Sequence, residues 1–286
     1  MTVATDPPHG LSGDPRPSPA GRGRVQTLGV GLLVTLVVAG CGRAPPQPPQ
    51  PSPAPPRPGF VTLSDLDRRI LTDIRYATAH NFVGRPVDGY PEPLCLLTSR
   101  AAAALRGVQD AALAAGRSLK VYDCYRPQRA TDDFLRWARQ PGQDAMKAEF
   151  YPRVAKSELF DLGYLGSPSA HSRGSTVDLT LVDLPAPEQP RHSPGRPLVA
   201  CTAERGQRFA DNSVDMGTGF DCFDPLARTD SALVDATARA NRRLLRRLMT
   251  DGGFVGYDRE WWHFRYRDEP WPDTYFDLPV ARSSTG

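Results

Sequence analysis

Residues 169–181 read SAHSRGSTVDLTL. Val177, Leu179 and Leu181 alternate with Thr176, Asp178 and Thr180, the period-two pattern of a half-buried strand. On one regular strand, His171 and Asp178, seven positions apart, would face opposite ways. The segment Ser172 to Ser175 breaks that regularity, and Gly174 permits an unusual backbone within it. The stretch therefore predicts a turn that swings His171 over the strand, so that imidazole and carboxylate meet on one face.

The flanking sequence predicts how this strand is housed. Thr98-Ser99 opens an alanine-rich helix running to Gly116, with Leu105, Val108 and Leu113 facing inward. SLKVYDCYRP (118–127) reads as a strand of about six residues ended by Pro127, and Gln128 to Arg139 as a second helix. Residues 183–213 carry Pro and Gly with few apolar side chains, which predicts a long loop. A helix is expected from Ser231 to Thr250, ending at Gly252-Gly253, with Leu244, Leu245 and Leu248 on one side. Its Arg242, Arg243, Arg246 and Arg247 are expected to form a solvated face. A strand pair is expected to begin near Glu260. Strands and helices mixed without regular alternation predict an α+β single domain, a central antiparallel sheet flanked by helices.

The 286 residues carry a net charge of +3 with no basic block outside that helix, which gives no electrostatic case for nucleic acid. Of the 30 prolines, 14 fall in the first 58 residues. The apolar run VQTLGVGLLVTLVVAG (25–40), preceded by Arg22 and Arg24, is short for a spanning helix and has the flanks of an export signal. It closes on Val38-Ala39-Gly40-Cys41, which resembles the lipobox of bacterial lipoproteins. That resemblance implies cleavage before Cys41, a lipid on its thiol, and a mature protein tethered to the outer side of a membrane. The organisation expected is a signal at 1–40, a proline-rich spacer at 41–58 that cannot pack, and a globular domain at 59–286. Four further cysteines, Cys95, Cys124, Cys201 and Cys222, allow three disulfide pairings or none. Cys201 with Cys222 is favoured because the two bracket one loop-rich segment.

Of five histidines, His9 lies before the signal's apolar run, and His80 and His192 have no metal-like partners nearby in sequence and are expected to be plain core or surface residues. His171, Asp178 and His263 offer two imidazoles and a carboxylate, three ligands that leave one position of a tetrahedral zinc open. Glu260, three residues before His263, is expected in a turn where it reaches the reacting water without ligating the metal. Trp261 and Trp262 flank this group, and at least one is expected to be core.

Through SAHSRGSTVDLTL, EWWHF, YDCYRP and MGTGFD the chain resembles the D-alanyl-D-alanine dipeptidases of the VanX type, peptidase family M15. Their zinc fold is shared with the hedgehog signalling domain. The likeness runs from about Thr62 to Val280. It implies one zinc held by His171, Asp178 and His263, and Glu260 as catalytic base. It also implies Arg126 as the cation facing the developing oxyanion, and Asp221 and Ser169 as the pocket for the substrate's free ammonium. Cys222 and the long segment before Met216 depart from the shortest family members and leave the permitted substrate length open. The activity implied is hydrolysis of D-Ala-D-Ala outside the cytoplasm. The alternatives are a D,D-carboxypeptidase or stem-peptide peptidase on the same zinc, or a non-catalytic zinc-binding wall lipoprotein.

Overall fold

The computed structural model describes residues 57–286. The expected signal, Cys41 and most of the spacer lie outside the described residues. Pro58, assigned above to the spacer, is buried, and its carbonyl accepts from Trp271 Nε1 at 3.2 Å; it is part of the packed body.

In chain order the elements are β1 (Phe60–Thr62), α1 (Leu63–Leu66), β2 (Leu71–Thr72), β3 (Leu96–Thr98), α2 (Ser99–Ala114), β4 (Arg117–Asp123), α3 (Gln128–Arg139), α4 (Lys147–Phe150), β5 (Thr176–Asp183), α5 (Ala236–Asp251), β6 (Phe254–Tyr257) and β7 (Glu260–Tyr266). The main sheet has the order β2-β4-β5-β7-β6, and β1 pairs with β3 apart from it. Every pairing in the main sheet is antiparallel except the two-residue contact of β2 with β4. The α+β expectation holds, with that one parallel edge.

The strand read first, β5, is central and buried from Thr176 to Val182. Its Val177, Leu179 and Leu181 join Leu119 and Val121 of β4 in the core, where Leu105 and Val108 of α2 and Leu245 and Met249 of α5 are also buried. Leu113, Leu244 and Leu248 are only half-buried. The end of α5 approaches α2 so closely that a Cβ on Gly252 would meet Val108 Cγ2 at 2.2 Å, which accounts for a glycine there.

Several local expectations are corrected. The helix α5 starts at Ala236 rather than Ser231, because the Asp235 side chain accepts from Ala238 N at 2.7 Å and caps it. Thr98 makes no side-chain cap for α2; its Oγ1 lies 2.7 Å from Ser175 Oγ and ties the helix start to the turn before β5. The last strand pair begins at Phe254, and Glu260 is the first residue of β7 rather than a turn residue. Arg242 is not solvated. It is 2% exposed, and its Nε and Nη1 donate to the carbonyls of Met216, Leu226 and Arg228, while Nη2 has no partner among the described residues. Between Asp183 and Ala236 there is no α-helix or strand, which bears out the loop expected at 183–213 and extends it.

One irregularity positions the site. Val121 pairs with Leu179, but Asp178 pairs with Asp123, not Tyr122, so β4 carries one extra residue. Such a bulge shifts every following side chain to the other face. Asp123, which regular pleating would place with Val121, instead sits opposite Asp178.

Candidate active site

The opening motif folds as its spacing demands. Ala170–Arg173 form a single 3-10 turn ended by Gly174, whose φ of 79° is left-handed. The Phe60 ring lies 2.2 Å from where a Cβ on Gly174 would stand. Ser169 Oγ accepts from His171 N at 3.3 Å and fixes the start of the turn. His171 is thereby carried over β5 to Asp178. On the next strand, Asp178 and His263 are direct cross-strand partners, which brings their side chains together.

Three ligand atoms converge. His171 Nε2 lies 3.2 Å from His263 Nδ1 and 3.4 Å from Asp178 Oδ1, and His263 Nδ1 lies 3.1 Å from the same oxygen. Tetrahedral bonds of about 2.0–2.1 Å to zinc put ligand atoms about 3.4 Å apart, so the triangle has the right size. His171 Nδ1 donates to the Cys124 carbonyl at 2.7 Å, which leaves the lone pair of Nε2 facing the triangle. Asp178 Oδ1 is fully buried yet has no satisfactory hydrogen-bond partner among the described residues. An orphaned carboxylate oxygen between two imidazole nitrogens is what a cation would complete. The His171 and His263 rings beside Asp178 hold its carboxyl far below the usual range, ready to ligate, although burial opposes them.

Around this triangle a cavity of about 250 Å³ is lined by all seven residues named from the sequence: Arg126, Ser169, His171, Asp178, Asp221, Glu260 and His263. Glu260 is 7% exposed, with Oε2 3.6 Å from His263 Nδ1. Burial first, then the charges of Asp178 and Asp221, push its carboxyl well above the ordinary range. Arg126 stands over the rings of Tyr76 and Phe134, at 5.0 and 5.1 Å, with Nη2 3.6 Å from Asp178 Oδ2. Asp221 is the one described residue other than glycine with a left-handed backbone, φ 55°, and Oδ2 accepts from Tyr76 Oη at 2.8 Å. Burial and Asp178 push its carboxyl up to about 8.

Sequence reading missed Tyr76, which lines the cavity and holds Asp221, and Tyr257 and Tyr164 on the cavity wall. No local pattern marks them; Tyr76 meets Asp221 across 145 positions. Both tryptophans beside Glu260 are core, 2% and 1% exposed. The cysteines pair as Cys95–Cys124 and Cys201–Cys222, including the favoured pair.

His80 and His192, expected to be unremarkable, meet at a second group with Glu149. Here the geometry differs from the first triangle. His80 Nε2 donates to Glu149 at 2.8 Å while Arg75 Nη1 approaches its Nδ1 at 3.1 Å, so both ring nitrogens are engaged by protein groups. The His192 ring stacks on His80, 4.2 Å apart and 9° from parallel, which aims the in-plane lone pairs along parallel planes rather than at one point. The hydrogen bonds of this group stay within the body, and the loop after β5 joins it through the stacked His192 ring.

Comparison with known proteins agrees with the geometry. Residues 57–188 and 186–281 match the Peptidase M15 family, described as D-ala-D-ala dipeptidase. The chain is 42% identical over 222 residues to a D-alanyl-D-alanine dipeptidase of Streptomyces coelicolor, and 39% identical over 223 residues to one of Enterococcus faecalis. Each alignment covers 78% of this chain and 98% of the relative. A dipeptidase of Escherichia coli is 33% identical over 192 residues, 67% of this chain and 76% of the relative. The zinc-sized triangle, the buried glutamate beside it and these matches lead to one conclusion: the chain belongs to the D-Ala-D-Ala dipeptidase family of M15 peptidases.

Proposed function

We propose that the protein is a zinc-dependent dipeptidase that hydrolyses D-Ala-D-Ala to two D-alanines outside the cytoplasm. The observation that carries this is one small cavity holding both a metal-sized triangle and, within the same walls, the buried Asp221 carboxyl, which forms no ion pair among the described residues. His171, Asp178 and His263 would hold one zinc. That ion, when bound, polarises the scissile carbonyl and makes water more acidic.

The remaining roles belong to the chain. Asp221, with Tyr76 on one oxygen, receives the free ammonium of the substrate and fixes its register. Acylating that amine would leave a buried carboxylate unmatched, which excludes longer peptides. Glu260 takes a proton from the attacking water and delivers it to the leaving amine; burial raises its basicity, which favours the first of these tasks. Arg126 faces the carbonyl oxygen as it gains charge, and its permanently charged fork suits that task. Ser169 closes the wall beside His171.

The site of action follows from a separate set of features. The lipobox-like Val38–Cys41 and the export-like run before it support attachment to a membrane through Cys41. Two disulfides support an oxidising compartment. We place the protein in turnover of D-Ala-D-Ala outside the cell membrane, away from the cytoplasmic precursor pool. Fatty-acid labelling of the full chain, lost in Cys41→Ser, is the expected sign of the tether.

The zinc-loaded full chain should release D-alanine from D-Ala-D-Ala and not from N-acetyl-D-Ala-D-Ala, and Glu260→Ala should abolish the release. Cleavage of the acetylated form would make the protein a D,D-carboxypeptidase. Cleavage of neither would leave a zinc-binding protein without this activity.

A further inference from the structure

Arg126 has two carboxylates within reach, and only one of them faces the metal triangle. Nη2 lies 3.6 Å from Asp178 Oδ2, but 2.9 Å from Asp123 Oδ2, to which Nε also donates at 3.0 Å. Left to Asp178 alone, the guanidinium would collapse onto a metal ligand. It would neutralise the charge that ligand offers the cation and turn away from the substrate.

We propose that Asp123 is the positioning residue of this active site, a buried carboxylate that holds Arg126 off Asp178 and keeps its fork aimed into the cavity. The inference rests on the zinc-peptidase reading above and gives a role to a residue of YDCYRP that had none. Asp123 is completely buried and does not line the cavity, so it acts through its neighbours. Its other oxygen accepts from Tyr90 Oη at 2.6 Å. That bond locks the carboxyl rotation and leaves Oδ2 for the guanidinium. The same oxygen lies 3.3 Å from His171 Nδ1, whose proton goes to the nearer Cys124 carbonyl at 2.7 Å. One carboxylate thus sets the oxyanion cation and borders the imidazole of a metal ligand.

The bulge in β4 is the backbone counterpart of this assignment. Without the extra residue Asp123 would fall on the face of Val121, inside the apolar core. The irregularity gives up one step of regular pairing and turns a carboxylate toward the site. Bulges recur where a side chain must be re-aimed beside an active centre.

The test is Asp123→Asn, which keeps size and one acceptor oxygen, measured in zinc-loaded full-length protein. The kcat for D-Ala-D-Ala should fall about 10- to 100-fold, the range for losing a supporting carboxylate, with KM nearly unchanged, because Arg126 acts on charge that exists only in the transition state. One zinc per chain should remain. In an Arg126→Ala background the same substitution should cost little more, since its effect passes through Arg126. A second readout needs no turnover: the Arg126 Nε–H signal in the NMR spectrum should be strongly shifted in the parent and lose that shift in Asp123→Asn. An unaltered kcat, an equal loss without Arg126, or an unmoved Nε–H signal would each overturn the proposal. Should the parent fail to cleave D-Ala-D-Ala, the dipeptidase reading fails, while the Nε–H signal still decides for or against Asp123.

Discussion

Asp221 shows how much a single side chain here depends on what reaches it. Burial and Asp178 raise its carboxyl to about 8 in the free protein, so it holds its proton through neutral pH. An ammonium arriving in the same pocket favours the charged form. The expected consequence is that kcat/KM for D-Ala-D-Ala rises with pH along a limb at or below 8, since bound zinc offsets the charge of Asp178. Asp221→Asn should remove that limb and weaken substrate use by about 2 kcal/mol or more, the range for leaving a buried charged partner unmatched. A pH series of kcat/KM on both proteins checks it. The residues that share the cavity were legible in the sequence because candidate metal ligation and proton transfer call for particular side chains at short spacing. Tyr76 and Asp123 were not, because their roles depend on a tyrosine contact across 145 positions and on a bulge that no pattern announces. Arg242 misled for the same reason: its partners are backbone carbonyls, which the sequence does not display.

Among the elements, the turn before β5 is the most exacting. Gly174 has a left-handed backbone and the Phe60 ring against it. Gly174→Ala should therefore destabilise the protein by about 2 kcal/mol or more, combining backbone strain with overpacking. Zinc affinity should drop with it, since the turn carries His171; urea unfolding and a zinc titration read the two effects. The α2, β4 and α3 segments were readable from periodicity and Pro127, whereas the start of α5 depended on Asp235 rather than the earlier Ser231. The loop after β5 gave no periodic signal because it is anchored by polar side chains. Lys120 Nζ, in the middle of β4, donates to Gln189, Asp211 and Asn212, and His192 stacks on His80. Burial, aided by Arg75 and His192, lowers the pKa of His80 despite its hydrogen bond to Glu149. Above about pH 6.5 the imidazole is neutral folded or unfolded and pH has no effect through it. Below that, the unfolded chain gains a proton that the fold resists, so stability falls as pH falls toward the lowered pKa. Urea unfolding at pH 7 and 5.5 should show this loss, and His80→Gln should reduce it.

At the scale of the molecule, fold class and site were both expressed in the same short stretch. The strand that carries the candidate ligand Asp178, β5, sits between β4 and β7 and is buried from Thr176 to Val182. The parallel contact of β2 was not legible, since two residues give no period to read. The cysteine pairing was only half legible. Cys201 and Cys222 lie in one loop-rich segment, but Cys95 and Cys124 are brought together by β3 and β4, elements of different pairings.

That second bond has a consequence for timing. Cys124 is both a disulfide partner and the residue whose carbonyl orients His171. A chain whose Cys95 and Cys124 are still thiols lacks the covalent brace behind that carbonyl. The expected outcome is that Cys95→Ala/Cys124→Ala binds zinc more weakly than the oxidised parent, checked by titration against a chelator. A newly made chain in a reducing cytoplasm would then be a poor hydrolase beside the cell's own store of D-Ala-D-Ala. Under the export proposed above, it would acquire full strength only in an oxidising space, and oxidation would act as a delay that spares the cell its own enzyme.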